Sequence, residues 1–78
     1  MTRITDSDIC GFISTRLLNG RPVTPDEDLL LSGLLDSLGV MTLVAHLDGL
    51  RGTPIPPQDV TIENFATVST ITAYLESS

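Results

Sequence analysis

The chain has 78 residues, which is enough for one small domain near the lower size limit for a self-sufficient core, so residues 1–78 are treated as a single domain. Hydrophobic residues make up 41% of the sequence but aromatic residues only 4%, which requires a core of Leu, Ile and Val. Ten Asp and Glu against four Arg and no Lys give a net charge of −6, which excludes nucleic acid and anionic membranes as partners and favours basic protein surfaces.

The sequence has no feature of an exported or membrane-inserted protein. Its N-terminus has no long apolar segment of the signal-peptide kind, and no apolar run approaches the ~20 residues of a membrane span. The single cysteine, Cys10, has no internal disulfide partner and is expected to be a buried structural thiol. We therefore expect a cytoplasmic, monomeric protein. Because the chain is short and begins with Met, we also expect a complete discrete protein.

The first predicted helix covers about residues 6–18. Thr5 is its N-cap, and Asp6 and Asp8 suit the positive end of the helix dipole. Four apolar residues then recur at helical spacing and form one apolar stripe: Ile9, Phe12, Ile13 and Leu17. Asn19 and Gly20, followed by Pro22, end the helix.

Residues 19–36 form a long connection whose first half is turn-forming and acidic and whose second half is apolar. A connection of this length is uncommon in a compact domain unless it has a function or folds back on the core. Residues 26–28 are predicted to start a short turn of helix, and Gly33 permits the backbone angle that turns the chain toward Asp36 and Ser37. Four leucines are predicted to hold the connection against the core: Leu29, Leu30, Leu34 and Leu35.

The second predicted helix begins at Asp36 or Ser37, either of which is a good N-cap, and ends near Leu50. At 100° per residue, one broad apolar stripe forms along it, and we assign that stripe to the core. Its members are Val40, Leu43, Val44, Leu47 and Leu50.

A different face of this helix carries Ser37 beside small and medium apolar side chains. We predict that this face is a partner-docking surface, because it places an exposed apolar patch next to an exposed hydroxyl. The alternative is that the helix is buried on two sides. The predicted docking residues, with a carboxylate at each end, are Asp36, Leu38, Met41, Ala45 and Asp48.

After the second helix, Gly52 and three prolines break the helical pattern. Residues 56–60 and 61–64 each leave room for no more than one or two helical turns. Phe65 is a predicted core anchor, and Thr67 caps a last helix with apolar residues at helical spacing: Val68, Ile71, Tyr74 and Leu75. No segment alternates apolar and polar residues as a strand would. The predicted fold is all-α, with three main helices and one short helix.

The only histidine, His46, invites a Ser-His-Asp interpretation with Ser37. Nine residues along one helix separate the two by ~13.5 Å at ~1.5 Å per residue and place them on nearly opposite sides. A nucleophile and its base must be within hydrogen-bond distance, so this pair fails the test. His46 is predicted to face solvent or a boundary, the sequence has no metal-ligand spacing, and we do not expect an enzyme.

The stretch from Gly33 through Asp36, Ser37 and Leu38 resembles the attachment motif of the acyl and peptidyl carrier protein family, G-x-[LI]-D-S-L before a helix. The resemblance extends over nearly the whole chain. It includes the amphipathic first helix, the acidic connection, the Pro-rich break, and the segment 63–68 that resembles the family's entry to its last helix.

This resemblance implies that Ser37 carries 4'-phosphopantetheine through a phosphodiester, installed from coenzyme A by a phosphopantetheinyl transferase. The thiol of that arm would hold an acyl or aminoacyl group as a thioester. Asp36 would meet a basic side chain or the magnesium ion of the transferase. The further partners implied are acyltransferase, ketosynthase or adenylation enzymes.

The helix after Ser37 departs from the pattern of fatty-acid carriers, which bear several carboxylates there. Asp48 is the only residue with a carboxylate between Ser37 and Arg51, and Gly39 occupies a position where the family pattern has a polar residue. We therefore predict a discrete acyl carrier of polyketide or other specialised-metabolite biosynthesis. An aminoacyl or peptidyl carrier of a nonribosomal-peptide-type system is one alternative. An unmodified helical interaction module is another.

Overall fold

A computed structural model describes residues 3–77. Helix α1 (Asp6–Phe12) continues as a π-helix (Ile13–Leu17), and after the long connection come α2 (Ser37–Arg51), a 3-10 turn (Pro57–Asp59), α3 (Ile62–Phe65) and α4 (Val68–Ser77). No strand is present between residues 3 and 77. The predicted all-α fold of three main helices and a short one is confirmed.

The helix ends follow the predicted capping chemistry. Thr5 Oγ1 accepts a hydrogen bond from Asp8 N (3.2 Å), while the Asp8 carboxylate accepts one from Thr5 N (3.0 Å). Thr67 Oγ1 likewise accepts a hydrogen bond from Thr70 N (3.1 Å) at the start of α4. Gly52 ends α2 in the left-handed conformation, at φ 78°. These ends form as local sequence dictates, because each uses groups within three or four residues of one another.

The core is aliphatic around a single phenylalanine. Leu43 and Leu47 of α2 are buried as predicted, and Val40 and Val44 pack beside them at half burial. Leu50 was predicted to be buried and is 47% exposed, because it lies in the last turn of α2, beyond the buried cluster. The buried residues are Ile9, Ile13, Leu29, Leu35, Leu43, Leu47, Ile55, Phe65, Val68 and Ile71.

The first helix is not α-helical to its end. From Ile13 it widens into a π-helix, in which Leu18 N donates to Ile13 O, five residues back, at 3.0 Å. A wider turn shifts the later side chains away from positions expected at 100° per residue. Ile9 and Ile13 are buried, whereas Phe12 and Leu17 of the predicted stripe are only half-buried.

The long connection folds back on the core, as the leucine pattern predicted. Leu29 N donates to Ala66 O (2.7 Å), Leu35 N donates to Leu29 O (2.8 Å), and both leucines are buried. The predicted turn of helix at residues 26–28 is wrong, since this segment forms only turns and bends. Asp28 Oδ1 accepts hydrogen bonds from Leu30 N and Leu31 N, as a helix N-cap would, but only one turn follows, closed by the hydrogen bond from Gly33 N to Leu30 O.

Candidate attachment site

The start of α2 forms a capped corner. Asp36 is the N-cap, with extended backbone, and its Oδ1 accepts a hydrogen bond from Gly39 N at 2.7 Å. Ser37 is the first helical residue and is exposed. The N–H groups of Ser37 and Leu38 have no intrahelical acceptor because they lie in the first turn. The corner therefore presents a hydroxyl and two backbone donors at the positive end of a 15-residue helix.

Two glycines shape this corner. Gly33 has φ 78°, which confirms the predicted turn of the chain toward Asp36. Gly39 lies against the cap: a Cβ at this position would come within 3.3 Å of Asp36 Oδ1 and 3.6 Å of the Leu35 side chain. The absence of a side chain at residue 39 thus lets the capping carboxylate sit close to the helix.

The apolar side chains predicted on the Ser37 face are exposed. Leu38 is 73% and Met41 69% accessible, and Ala45 is exposed one turn further along. Sequence reasoning missed Ile62 of α3, which is 58% exposed and lines an open groove of about 540 Å³ together with Ser37 and Met41. The sequence shows only an apolar residue at the start of a four-residue helix, and a helix that short has no periodic pattern from which the exposure of Ile62 could be predicted.

A second groove, of about 380 Å³, continues from Met41 along α2. Its other walls are Val44, Ala45, Ile55, Pro57 and Val60, with Asp48 at the edge. Met41 lines both grooves, so the exposed apolar surface runs from Ser37 along α2 and toward the segment that leads to α3.

Asp48 lies half-buried at the far end of this face. Its Oδ1 accepts a hydrogen bond from Ile55 N at 2.8 Å, which ties the loop after α2 back to the helix. The carboxylate thus has a structural contact that the sequence did not reveal. Its assignment to the docking surface, like that of Asp36, stays a prediction.

His46 lies on the side of α2 that faces α1. Its imidazole stacks on the Phe12 ring, with centroids 3.8 Å apart and planes 10° from parallel. The Arg16 guanidinium lies 5.8 Å from the centre of the same phenylalanine ring. His46 is half-buried, so of the two predicted positions, facing solvent or at a boundary, the structure shows the boundary one.

Cys10 is less buried than predicted: the thiol is free and half-buried against the core. Desolvation by burial, and then the nearby carboxylates of Asp6 and Glu27, raise the pKa of this thiol. The lower thiolate fraction makes it a poor nucleophile at neutral pH. Across residues 3–77, no three His, Cys, Asp or Glu side chains are grouped as a metal site would require.

Comparison with known families identifies the family of the chain. Residues 8–75 match the family model described as phosphopantetheine attachment site, and this match spans most of the chain. The chain therefore belongs to the phosphopantetheine attachment site family of carrier proteins, whose cofactor is 4'-phosphopantetheine bound covalently to a serine. A comparison with curated proteins found no match.

Family membership carries three general properties. Carrier proteins of this kind are generally not enzymes themselves, and they interact with a phosphopantetheinyl transferase and with biosynthetic enzymes. They present a covalently held group to those partners.

None of the helices between residues 3 and 77 is long and apolar enough to cross a membrane.

Proposed function

We propose that Ser37 is the serine that carries 4'-phosphopantetheine. The observation that supports this choice is an exposed hydroxyl at the start of α2 with no hydrogen bond to residues 3–77. The other serines in the matched segment are less suitable. Ser32 Oγ donates to Asp28 O, Ser69 Oγ donates to Asp26 Oδ1 (3.2 Å), and Ser14 is half-buried in the π-helix.

The corner fits a phosphodiester. A phosphate on Ser37 Oγ would lie at the positive end of α2, near the N–H groups of Ser37 and Leu38. The neighbouring Asp36 carboxylate is held by Gly39 N, which limits its approach to the phosphate. Once bound, the arm supplies a terminal thiol on which a group is held as a thioester.

Loading is a phosphoryl-type transfer from coenzyme A. Ser37 Oγ forms a bond to the phosphorus that bears pantetheine, the pyrophosphate bond breaks, and adenosine 3',5'-bisphosphate leaves. The serine proton passes to a base of the transferase. The role of Ser37 in this step is to present an accessible oxygen, and Asp36 is placed to face a cation of the transferase.

The exposed apolar face of α2 supports a more specific role. We propose an acyl carrier of polyketide or other specialised-metabolite biosynthesis, served by acyltransferase and ketosynthase partners. Leu38, Met41 and Ala45 would dock them through apolar contact. Asp36 and Asp48 would lie at the two ends of this docking surface. This differs from carriers whose second helix bears a row of carboxylates for salt-bridge steering.

Incubation with coenzyme A, magnesium and a broad-specificity phosphopantetheinyl transferase, followed by intact-mass analysis, tests the proposal. Wild-type protein should gain one phosphopantetheinyl group, and Ser37→Ala should gain none. Ser32→Ala is the matched control and should load like wild type. Unchanged wild-type mass, or equal loading of Ser37→Ala, would show that Ser37 is not the attachment site.

A further inference from the structure

A third groove borders the attachment corner on the side of the first helix. It has a volume of about 310 Å³, and Met41, which lines the other two grooves, is not part of it. Asp36 and Leu38, the residues on either side of Ser37, both line it, so a group attached to Ser37 starts beside this space. Further walls of this first-helix groove are Leu17, Leu34, Gly39 and Thr42.

Gly39 keeps the first-helix groove open. It lies on the groove wall, and a Cβ there would already come within 3.3 Å of Asp36 Oδ1. A longer side chain at residue 39 would therefore press on the helix cap or fill the groove. Because the family pattern has a polar residue at this position, the open space is a feature of this particular sequence.

The walls of the first-helix groove suit the pantetheine part of the cofactor. Pantetheine has a gem-dimethyl group, a hydroxyl and two amides, and covering an amide without giving it a hydrogen-bond partner is unfavourable. Leu17 and Leu34 offer apolar contact to the methyl groups. Thr42 Oγ1 donates to Leu38 O at 2.9 Å, which leaves its lone pairs able to accept a hydrogen bond from an amide N–H.

The groove that Ser37 itself lines offers less to these amides. Asp36 lines both grooves and so favours neither. Beyond Asp36 and Ser37, the walls of the Ser37 groove are all apolar: Leu30, Leu35, Val40, Met41 and Ile62. Only the first-helix groove adds a side-chain hydroxyl, that of Thr42, to the groups of the corner.

We propose that the pantetheine arm on Ser37 binds in the first-helix groove. Its dimethyl group packs against Leu17 and Leu34, and one amide N–H donates to Thr42 Oγ1. The inference rests on Ser37 being the attachment site. In this position the arm leaves the exposed side chain of Met41 uncovered.

Nuclear magnetic resonance of the loaded protein tests this inference. Protein labelled with ¹³C and ¹⁵N is loaded from unlabelled coenzyme A, and intact mass first confirms one phosphopantetheinyl group. Isotope-filtered spectra should show nuclear Overhauser effects from the dimethyl protons of the arm to the methyl groups of Leu17 and Leu34. Contacts to Met41 and Ile62 instead, or no contact with the protein, would overturn the inference. Failure of wild-type protein to load would instead refute the attachment proposal.

Thr42→Val removes the acceptor while keeping the shape of an exposed side chain, so the fold should not change. The ratio of bound to free arm should fall about fivefold, measured from the differences in amide chemical shift between loaded and unloaded protein at Leu34 and Gly39. Thr53→Val is the matched control, because Thr53 is exposed and lines a cavity near the other end of α2. Equal shift differences in Thr42→Val and wild type would disprove the hydrogen bond.

Gly39→Gln tests the open space independently of Thr42. Filling the groove should lower the same ratio at least about fivefold. Gly49→Gln is the control in the same helix, because Gly49 is exposed and a Cβ there would meet no atom within 4 Å. Retention of the wild-type contacts to Leu17 and Leu34 in a folded Gly39→Gln protein would show that the arm does not use this groove.

Discussion

The starts of α2 and α4 are built in opposite ways. At α4, Thr67 and Thr70 bond to each other's backbone N–H groups, Thr70 Oγ1 also donates to Asn64 O, and Val68 is buried. At α2, the capping carboxylate of Asp36 accepts a hydrogen bond from Gly39 N, but Ser37 is exposed and its hydroxyl makes no hydrogen bond with residues 3–77. One helix start uses its polar atoms for stability, and the other leaves a polar atom available for chemistry.

The apolar side chains follow the same division. Ile71, in the first turns of α4, is fully buried, while Leu38 and Met41 near the start of α2 face solvent. Burial stabilises a domain of this size, so exposed side chains of this kind contribute little to its folding. The exposed side chains at the start of α2, Ser37, Leu38 and Met41, can therefore be altered at small cost in stability, whereas the capping and buried side chains at the start of α4 cannot.

Two matched truncations give the largest expected contrast. Ile71→Ala should lower the free energy of unfolding by about 3 kcal/mol, since it removes buried methyl groups and leaves a cavity. Met41→Ala should change it by less than about 0.5 kcal/mol, because the side chain is already in water. Urea denaturation followed by circular dichroism measures both. Similar losses for the two variants would contradict the burial contrast.

Removing the hydroxyl at each helix start should give the next largest difference in stability. Thr67→Ala removes the cap of α4 and should lower the free energy of unfolding by about 1 kcal/mol. Ser37→Ala breaks no hydrogen bond with residues 3–77 and should leave stability within about 0.3 kcal/mol while abolishing loading. Thermal melts and intact-mass analysis of the same preparations give both quantities. A clear loss of stability in Ser37→Ala would mean that its hydroxyl supports the fold.

The last prediction concerns Tyr74 of α4, whose contribution to stability changes with pH only in the alkaline range. Tyr74 Oη donates a hydrogen bond to Asp59 Oδ2 at 2.6 Å. This bond, followed by desolvation and the negative charge of Asp59, raises the pKa of Tyr74 above its ordinary value of 10.0. The positive charge of Arg51 acts in the opposite direction. A raised pKa in the folded state means that the stabilisation is complete below pH 10 and is lost as pH rises through the folded pKa. Tyr74→Phe should remove this alkaline loss while lowering stability by about 1 kcal/mol at pH 7, as measured by denaturation at a series of pH values.

Local chemistry explains how much of this fold could be predicted. The caps at Thr5 and Thr67, the turn at Gly33 and the stop at Gly52 depend on a few neighbouring residues, and the sequence contains all of them. The attachment motif is local in the same sense, although its assignment to Ser37 stays a prediction. These features were predicted because no distant contact overrides them.

The features that were missed depend on tertiary contacts. The π-helix at Ile13–Leu17 and the exposure of Leu50 depend on how the helices meet and where the core ends. The Asp48–Ile55 contact links residues seven positions apart across a turn, and the place of Ile62 beside Ser37 depends on the path of the Pro-rich segment. Periodicity along one helix carries no information about such contacts.

The hydrogen bonds from Leu35 to Leu29, and from Leu29 to Ala66, also determine where the chain tolerates a change of length. Inserting residues between 29 and 35 would separate the corner from its attachment to the α3–α4 junction and would displace Ser37. Pro22 is exposed and lies outside this linkage. A peptide label for following the protein in mixtures with its partners therefore belongs near Pro22, where it would not displace Ser37 or the start of α2.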